Sequence, residues 1–194
     1  NPLKYGIVAS TDTHLGAPGL VEEASAKGHG GAGVRSVRGL PDDLEFNPGG
    51  LAVLWAEENS RDALFDAMQR REAYGTSGTR PLVRFFGGWD FDENLCEGAE
   101  LVSQGYARGV PMGGDLAQAP SGGAPTFAVW ARQDPGTPAL PGTPLAQVEI
   151  VKGWVEGGEA RETVVEVASA GGGASVDPST CQTSGKGAAE LCRV

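Results

Sequence analysis

Long apolar runs are missing from this 194-residue chain: the longest span about five residues, against the ~20 that a membrane-crossing helix needs. No segment is therefore expected to span a membrane as a helix. Basic residues are also few, 15 Lys and Arg against 25 Asp and Glu, giving a formal charge of −10 and a pI near 4.6. With no local cluster of lysine and arginine, nucleic-acid phosphate is not an expected partner. Cysteine is limited to Cys96, Cys181 and Cys192, an odd number that cannot pair completely. Cys181 and Cys192 flank the short "TSGKG" stretch, whereas Cys96 stands far upstream. A local Cys181–Cys192 disulfide, and with it an oxidising compartment, is the expectation. Three reduced thiols in a cytosolic protein are the alternative.

Glycine and proline are abundant, 31 and 13 residues, which favours turn-rich β structure with long connections. The first part of the chain has an α/β texture. Residues 5–10 (YGIVAS) and 51–55 (LAVLW) are short, nearly continuous apolar runs, the pattern of parallel strands covered on both faces. A helix is expected next. Asn59 or Ser60 can cap it, Ala63, Leu64, Ala67, Met68 and Arg71 share one stripe, Arg70 and Arg71 suit its carboxyl end, and Gly75 offers a left-handed stop.

Beyond about residue 80 the pattern turns to β. Segments 82–86, 126–132, 146–155 and 160–168 are rich in β-branched and aromatic residues, with Gly157-Gly158 as a turn between the last two. An antiparallel sheet or sandwich is expected here. Segments 16–50, 107–125 and 134–144 read as long loops. The division is thus an α/β part over 1–80 and a β-rich part over 81–194. The four tryptophans, Trp55, Trp89, Trp130 and Trp154, are read as core residues rather than stacking platforms.

The chemistry-bearing stretch is "IVASTDTHLG" at 7–16. Residues two apart on an extended segment point to the same side, so Asp12 and His14 can converge on one cation. A carboxylate oxygen with an imidazole nitrogen suits zinc, manganese or iron. A hydrogen-bonded turn aspartate beside an incidental histidine is the plainer reading. His29, in "GHGG", can position substrate or act as an acid, or it can be an exposed loop residue. Glu57 follows the run 51–55 and can serve a site at that strand's carboxyl end, or favour the dipole of the next helix. Asp115 in "MGGD" is either a ligand or a turn residue.

The stretches "GIVASTDTHLGAPGLVEE" (6–23), "GHGGAG" (28–33), "GGLAVLWAEENSRDALFDAMQRREAYGTSGTR" (49–80), "VRFFGGWDF" (83–91), "GYARGVPMGGDL" (105–116) and "VEIVKGW" (148–154) together resemble the carboxyl-terminal part of the domain of unknown function 3604 family. That family is in turn similar to the polymerase-and-histidinol-phosphatase (PHP) superfamily of metal-dependent phosphoesterases. The resemblance implies a distorted β/α barrel whose late strand ends in Asp-x-His, matched here by Asp12 and His14. It also implies divalent metal ions and a small phosphoester or related ester substrate. The superfamily site further needs a His-x-His, which this sequence lacks, its only histidines being His14 and His29, and additional His, Glu or Asp ligands. The resemblance therefore implies a carboxyl-terminal fragment, its site completed by residues of a preceding part of the same protein. The Cys181 and Cys192 pair resembles one in secreted or periplasmic members. Two functions are expected in competition: a secreted or periplasmic metal-dependent hydrolase, and a non-enzymatic β-rich binding or structural module with a vestigial metal motif.

Overall fold

The computed structural model describes residues 4–12, 49–120, 122–180 and 182–194. Among the described residues the first regular element is β1 (Ala52–Leu54), which leads into helix α1 (Arg61–Gln69) and then β2 (Ala73–Gly75). The expected amino-terminal signal of α1 is present: the Ser60 side chain accepts from the Ala63 backbone N–H, and Asp62 lies in the first turn. The expected stop is displaced. Arg70 closes the helix and Arg71, not Gly75, takes the left-handed conformation (φ 62°). The chain reverses there directly into β2, which contains Gly75.

β1 pairs antiparallel with β2, Leu54 opposite Ala73 and Ala52 opposite Gly75. This corrects the expectation of parallel strands at 5–10 and 51–55. The described residues form no closed barrel, and residues 5–10 carry no strand. They nevertheless lie close beside β2. A Cβ on Gly75 would sit 2.5 Å from the Ala9 carbonyl oxygen, and the Gly50 N–H donates to Thr11 Oγ1 at 2.7 Å.

The larger sheet is assembled from β3 (Leu82–Gly88), β4 (Gly109–Pro111), β5 (Thr126–Arg132) and β10 (Glu190–Arg193), in the order β10-β5-β3-β4, every neighbour antiparallel. The antiparallel sheet expected beyond residue 80 is thus present. Alternation sorts its faces. Phe86 pairs with Ala128, and Arg84 with Trp130, which is also opposite Cys192. This face packs under a 3-10 helix (Glu93–Glu97) and helix α2 (Leu101–Arg108), and the core comprises Phe86, Phe91, Leu101 and Ala128, with Leu95, Cys96, Trp130, Cys192 and Val194 against it. Phe85 and Phe127 stack on the opposite face with centroids 5.6 Å apart.

Two hairpin-like sheets complete the fold. β6 (Gln147–Glu156) pairs with β7 (Glu159–Ser169), and Gly157 and Gly158 at their junction both have positive φ (60° and 87°). Two such residues define the turn whose twist matches that of the flanking strands, so glycine is required there. β8 (Gly172–Val176) pairs with β9 (Thr183–Lys186). β4 lies inside the expected 107–125 loop and α2 runs into its start, while β8 and β9 are glycine- and serine-rich segments for which the sequence carries no strand expectation.

The expected Cys181–Cys192 disulfide is not formed. Cys192 is bonded instead to Cys96, across 96 residues of sequence with the Cα atoms 5.7 Å apart. The reason lies in the topology: β10 pairs with β5, placing Cys192 on the face covered by the 3-10 helix that carries Cys96. Cys181 lies outside the described residues.

Candidate functional site

Among the described residues two locations bear on the expected chemistry, and they lie at opposite ends of β1. The first is Asp12. It is exposed, adopts the left-handed conformation (φ 53°), and directly follows Thr11, which accepts from Gly50 before β1 begins. An aspartate tolerates this conformation better than most residues. His14 and His29 lie outside the described residues. Asp12 provides one oxygen donor, and among the described residues no three His, Cys, Asp or Glu side chains come together to hold a metal ion. The described residues alone therefore do not make up a metal centre.

The second location is a cleft of about 590 Å³ beyond the carboxyl end of β1, lined by Trp55, Ala56, Glu57, Arg70, Glu72, Arg84, Tyr106 and Pro111. Its organising residue is Glu72, only 2% exposed. The turn at Arg71 brings Glu72 alongside β1, where its carbonyl accepts from the Trp55 N–H at 3.0 Å. A carboxylate this deeply buried must be compensated. Both of its oxygens are: Arg70 Nε lies 3.4 Å from Oε2, while the Tyr106 hydroxyl donates to Oε1, with Arg84 Nη1 3.8 Å from the same atom.

Each partner is itself positioned. Arg84 projects from β3 on the face covered by α2, donates from Nη1 to the Tyr106 oxygen at 3.2 Å, and stacks its guanidinium 3.3 Å from the Trp55 ring centroid. Trp55 is fixed by its indole N–H, which donates to the Val83 carbonyl at 3.0 Å. Tyr106 packs edge-on to Phe86, centroids 5.2 Å apart, which ties the cleft to the core. Burial, reinforced by the Glu72 carboxylate, pushes the Tyr106 phenol above its ordinary value. Tyr74, beneath Trp55, is raised by burial as well.

Of the sequence-predicted residues, Glu57 lines the cleft and Asp12 does not. β1 separates them, so the two do not meet in one site. Trp55 is a wall of the cleft and Trp154 is 39% exposed, which corrects the reading of all four tryptophans as core. Asp115 is engaged structurally: its carboxylate accepts from Lys4 Nζ at 2.8 Å and Arg71 Nη2 at 3.2 Å, and these two hydrogen bonds hold it below the usual carboxylate range. Sequence reasoning missed Glu72, Arg84 and Tyr106. Each is an ordinary residue in its own segment, and only β3, β2 and α2 folding together unite them.

Among the described residues no helix is long and apolar enough to cross a membrane. Comparison with curated proteins and with solved structures returned no match. The whole chain, residues 1–194, matches the family described as protein of unknown function (DUF3604), and it belongs to that family.

Proposed function

We propose that this chain is the carboxyl-terminal part of a secreted or periplasmic metal-dependent hydrolase of the phosphoesterase type. The observation that carries the reading is the Asp12-x-His14 motif following an extended apolar segment, within a sequence that resembles the PHP superfamily. Asp12 would supply a carboxylate and His14 a neutral imidazole nitrogen to a divalent zinc, manganese or iron ion. The remaining ligands would come from a preceding part of the same protein. Such an ion lowers the pKa of bound water toward ~7 and stabilises charge on the phosphoryl oxygens. The Cys96–Cys192 disulfide supports the oxidising compartment. In this reading His29 and Glu57 are candidate substrate or proton-handling residues, and small phosphoesters or related esters are the substrate class.

A non-enzymatic binding role is the second reading, favoured by the β6–β7 hairpin. Val151, Val155 and Val164 on one of its faces are 62%, 75% and 54% exposed. Assay of the full protein with p-nitrophenyl phosphate and bis-p-nitrophenyl phosphate, with and without added manganese or zinc, separates the two. Metal-dependent turnover abolished by a chelator supports the hydrolase. Absence of turnover under every metal condition supports the binding module.

A further inference from the structure

We propose that the Trp55–Arg84–Tyr106 cleft binds a small organic monoanion, an apolar carboxylate, with the anionic group on Arg70 and Arg84 and the apolar body against Trp55 and Pro111. The charge balance comes first. Two guanidinium groups converge on one buried carboxylate, Glu72, and with Glu57 in the same wall the cationic and anionic groups balance, so the arginines are held in place within a wall of no net charge in a protein of formal charge −10. The second argument is the unspent donors. A guanidinium carries five N–H groups. Among the described residues Arg70 donates from Nε and Nη2, to Glu72 and the Trp55 carbonyl, and Arg84 donates from Nη1 to Tyr106. Planar forks with free edges match a carboxylate bidentately.

Preorganisation is the third. Arg84 is already stacked on Trp55 and hydrogen-bonded to Tyr106, with its side chain 17% exposed, so little rotamer freedom remains to be lost on binding. The walls fix the ligand class. Trp55, Ala56, Pro111 and the Tyr106 ring offer an apolar surface, and a volume of about 590 Å³ lies in the range of small-molecule sites. The carboxylates of Glu57 and Glu72 in the same wall oppose a dianion such as phosphate, which leaves a monoanion with an apolar body. The cleft lies across β1 from Asp12, so this inference does not rest on the hydrolase reading.

Calorimetric titration of the protein with benzoate, acetate and inorganic phosphate tests it, together with the Arg70→Gln variant. Arg70 is chosen because its side chain is 45% exposed and Arg84 still compensates Glu72 without it. Benzoate is expected to saturate one site at least tenfold more tightly than acetate or phosphate, and Arg70→Gln to weaken it at least tenfold. In the unmodified protein the Trp55 indole N–H resonance is expected to shift with the same saturation curve, a readout independent of how the variant folds. No saturable benzoate binding, phosphate binding as tight as benzoate, or a Trp55 resonance that does not move would each overturn the proposal.

Discussion

Glu72 shows how much one buried carboxylate demands of its neighbours. Three side chains from three elements or their flanks, Arg70, Arg84 and Tyr106, meet it. Arg84→Leu removes the more buried cation and leaves Glu72 to a half-exposed arginine, so a loss of about 3–5 kcal/mol is expected in urea denaturation. Tyr106→Phe removes a donor to a buried acceptor and is expected to cost about 1–3 kcal/mol. A double-mutant cycle should show the two losses to be non-additive, since both act on the same oxygen. The raised Tyr106 phenol carries its own pH signature. Because the folded state holds the proton more tightly than the unfolded chain, its contribution is complete below about pH 10 and declines as pH rises from there through the raised folded value. Alkaline denaturation of Tyr106→Phe should therefore show a shallower fall of stability above pH 10 than the unmodified protein. None of this was legible locally. "RREAYG" reads as a helix end, and nothing in it says that the glutamate will be buried, because burial is decided by a strand ten residues further on and a helix thirty residues away.

At the scale of elements, legibility followed side-chain content. β3, β5, β6 and β7 were found because β-branched and aromatic residues mark a pleated, half-buried surface, and the Gly157-Gly158 turn because only glycine tolerates its backbone. β8 and β9 were not found, since glycine and serine carry no such signal. Nor was α2: its first residue is preceded by Glu100, which makes no side-chain cap, and Gly105 interrupts its helical propensity. The disulfide belongs to this scale too. Adjacency in sequence pointed to Cys181, whereas strand pairing delivered Cys192 to Cys96. Closing 96 residues, the bond is expected to contribute about 2–5 kcal/mol, so Cys96→Ser should lower the denaturation midpoint strongly. Cys181→Ser, by contrast, should leave the Cys96–Cys192 peptide intact in non-reducing mass spectrometry. The Lys4–Asp115–Arg71 cluster fastens residues 4–12 beside α1 and β2. Asp115 is held below the usual carboxylate range, so its contribution is present at neutral pH and lost as pH falls through that lowered value. The hydrogen-exchange protection of residues 4–12, taken relative to the intrinsic rate at each pH, should fall in acid and in Asp115→Asn.

For the whole molecule, the family and the β-rich, antiparallel character stand, whereas the barrel implied by the resemblance is not formed by the described residues. Among the described residues β1 turns back on β2 and pairs with it antiparallel. That turn also separates the two chemical locations, with Asp12 near the start of β1 and the arginine cleft beyond its end. One chain thus offers two independent hypotheses, a metal ligand pair and an anion-binding cleft, that can fail separately. The central claim is the metal pair. Its most direct test is the metal content of the purified full protein beside Asp12→Ala and His14→Ala, measured by elemental analysis at equal protein concentration. Bound zinc, manganese or iron that falls by at least one ion per chain in both variants is the predicted result. Metal content that stays the same in both variants would contradict the account.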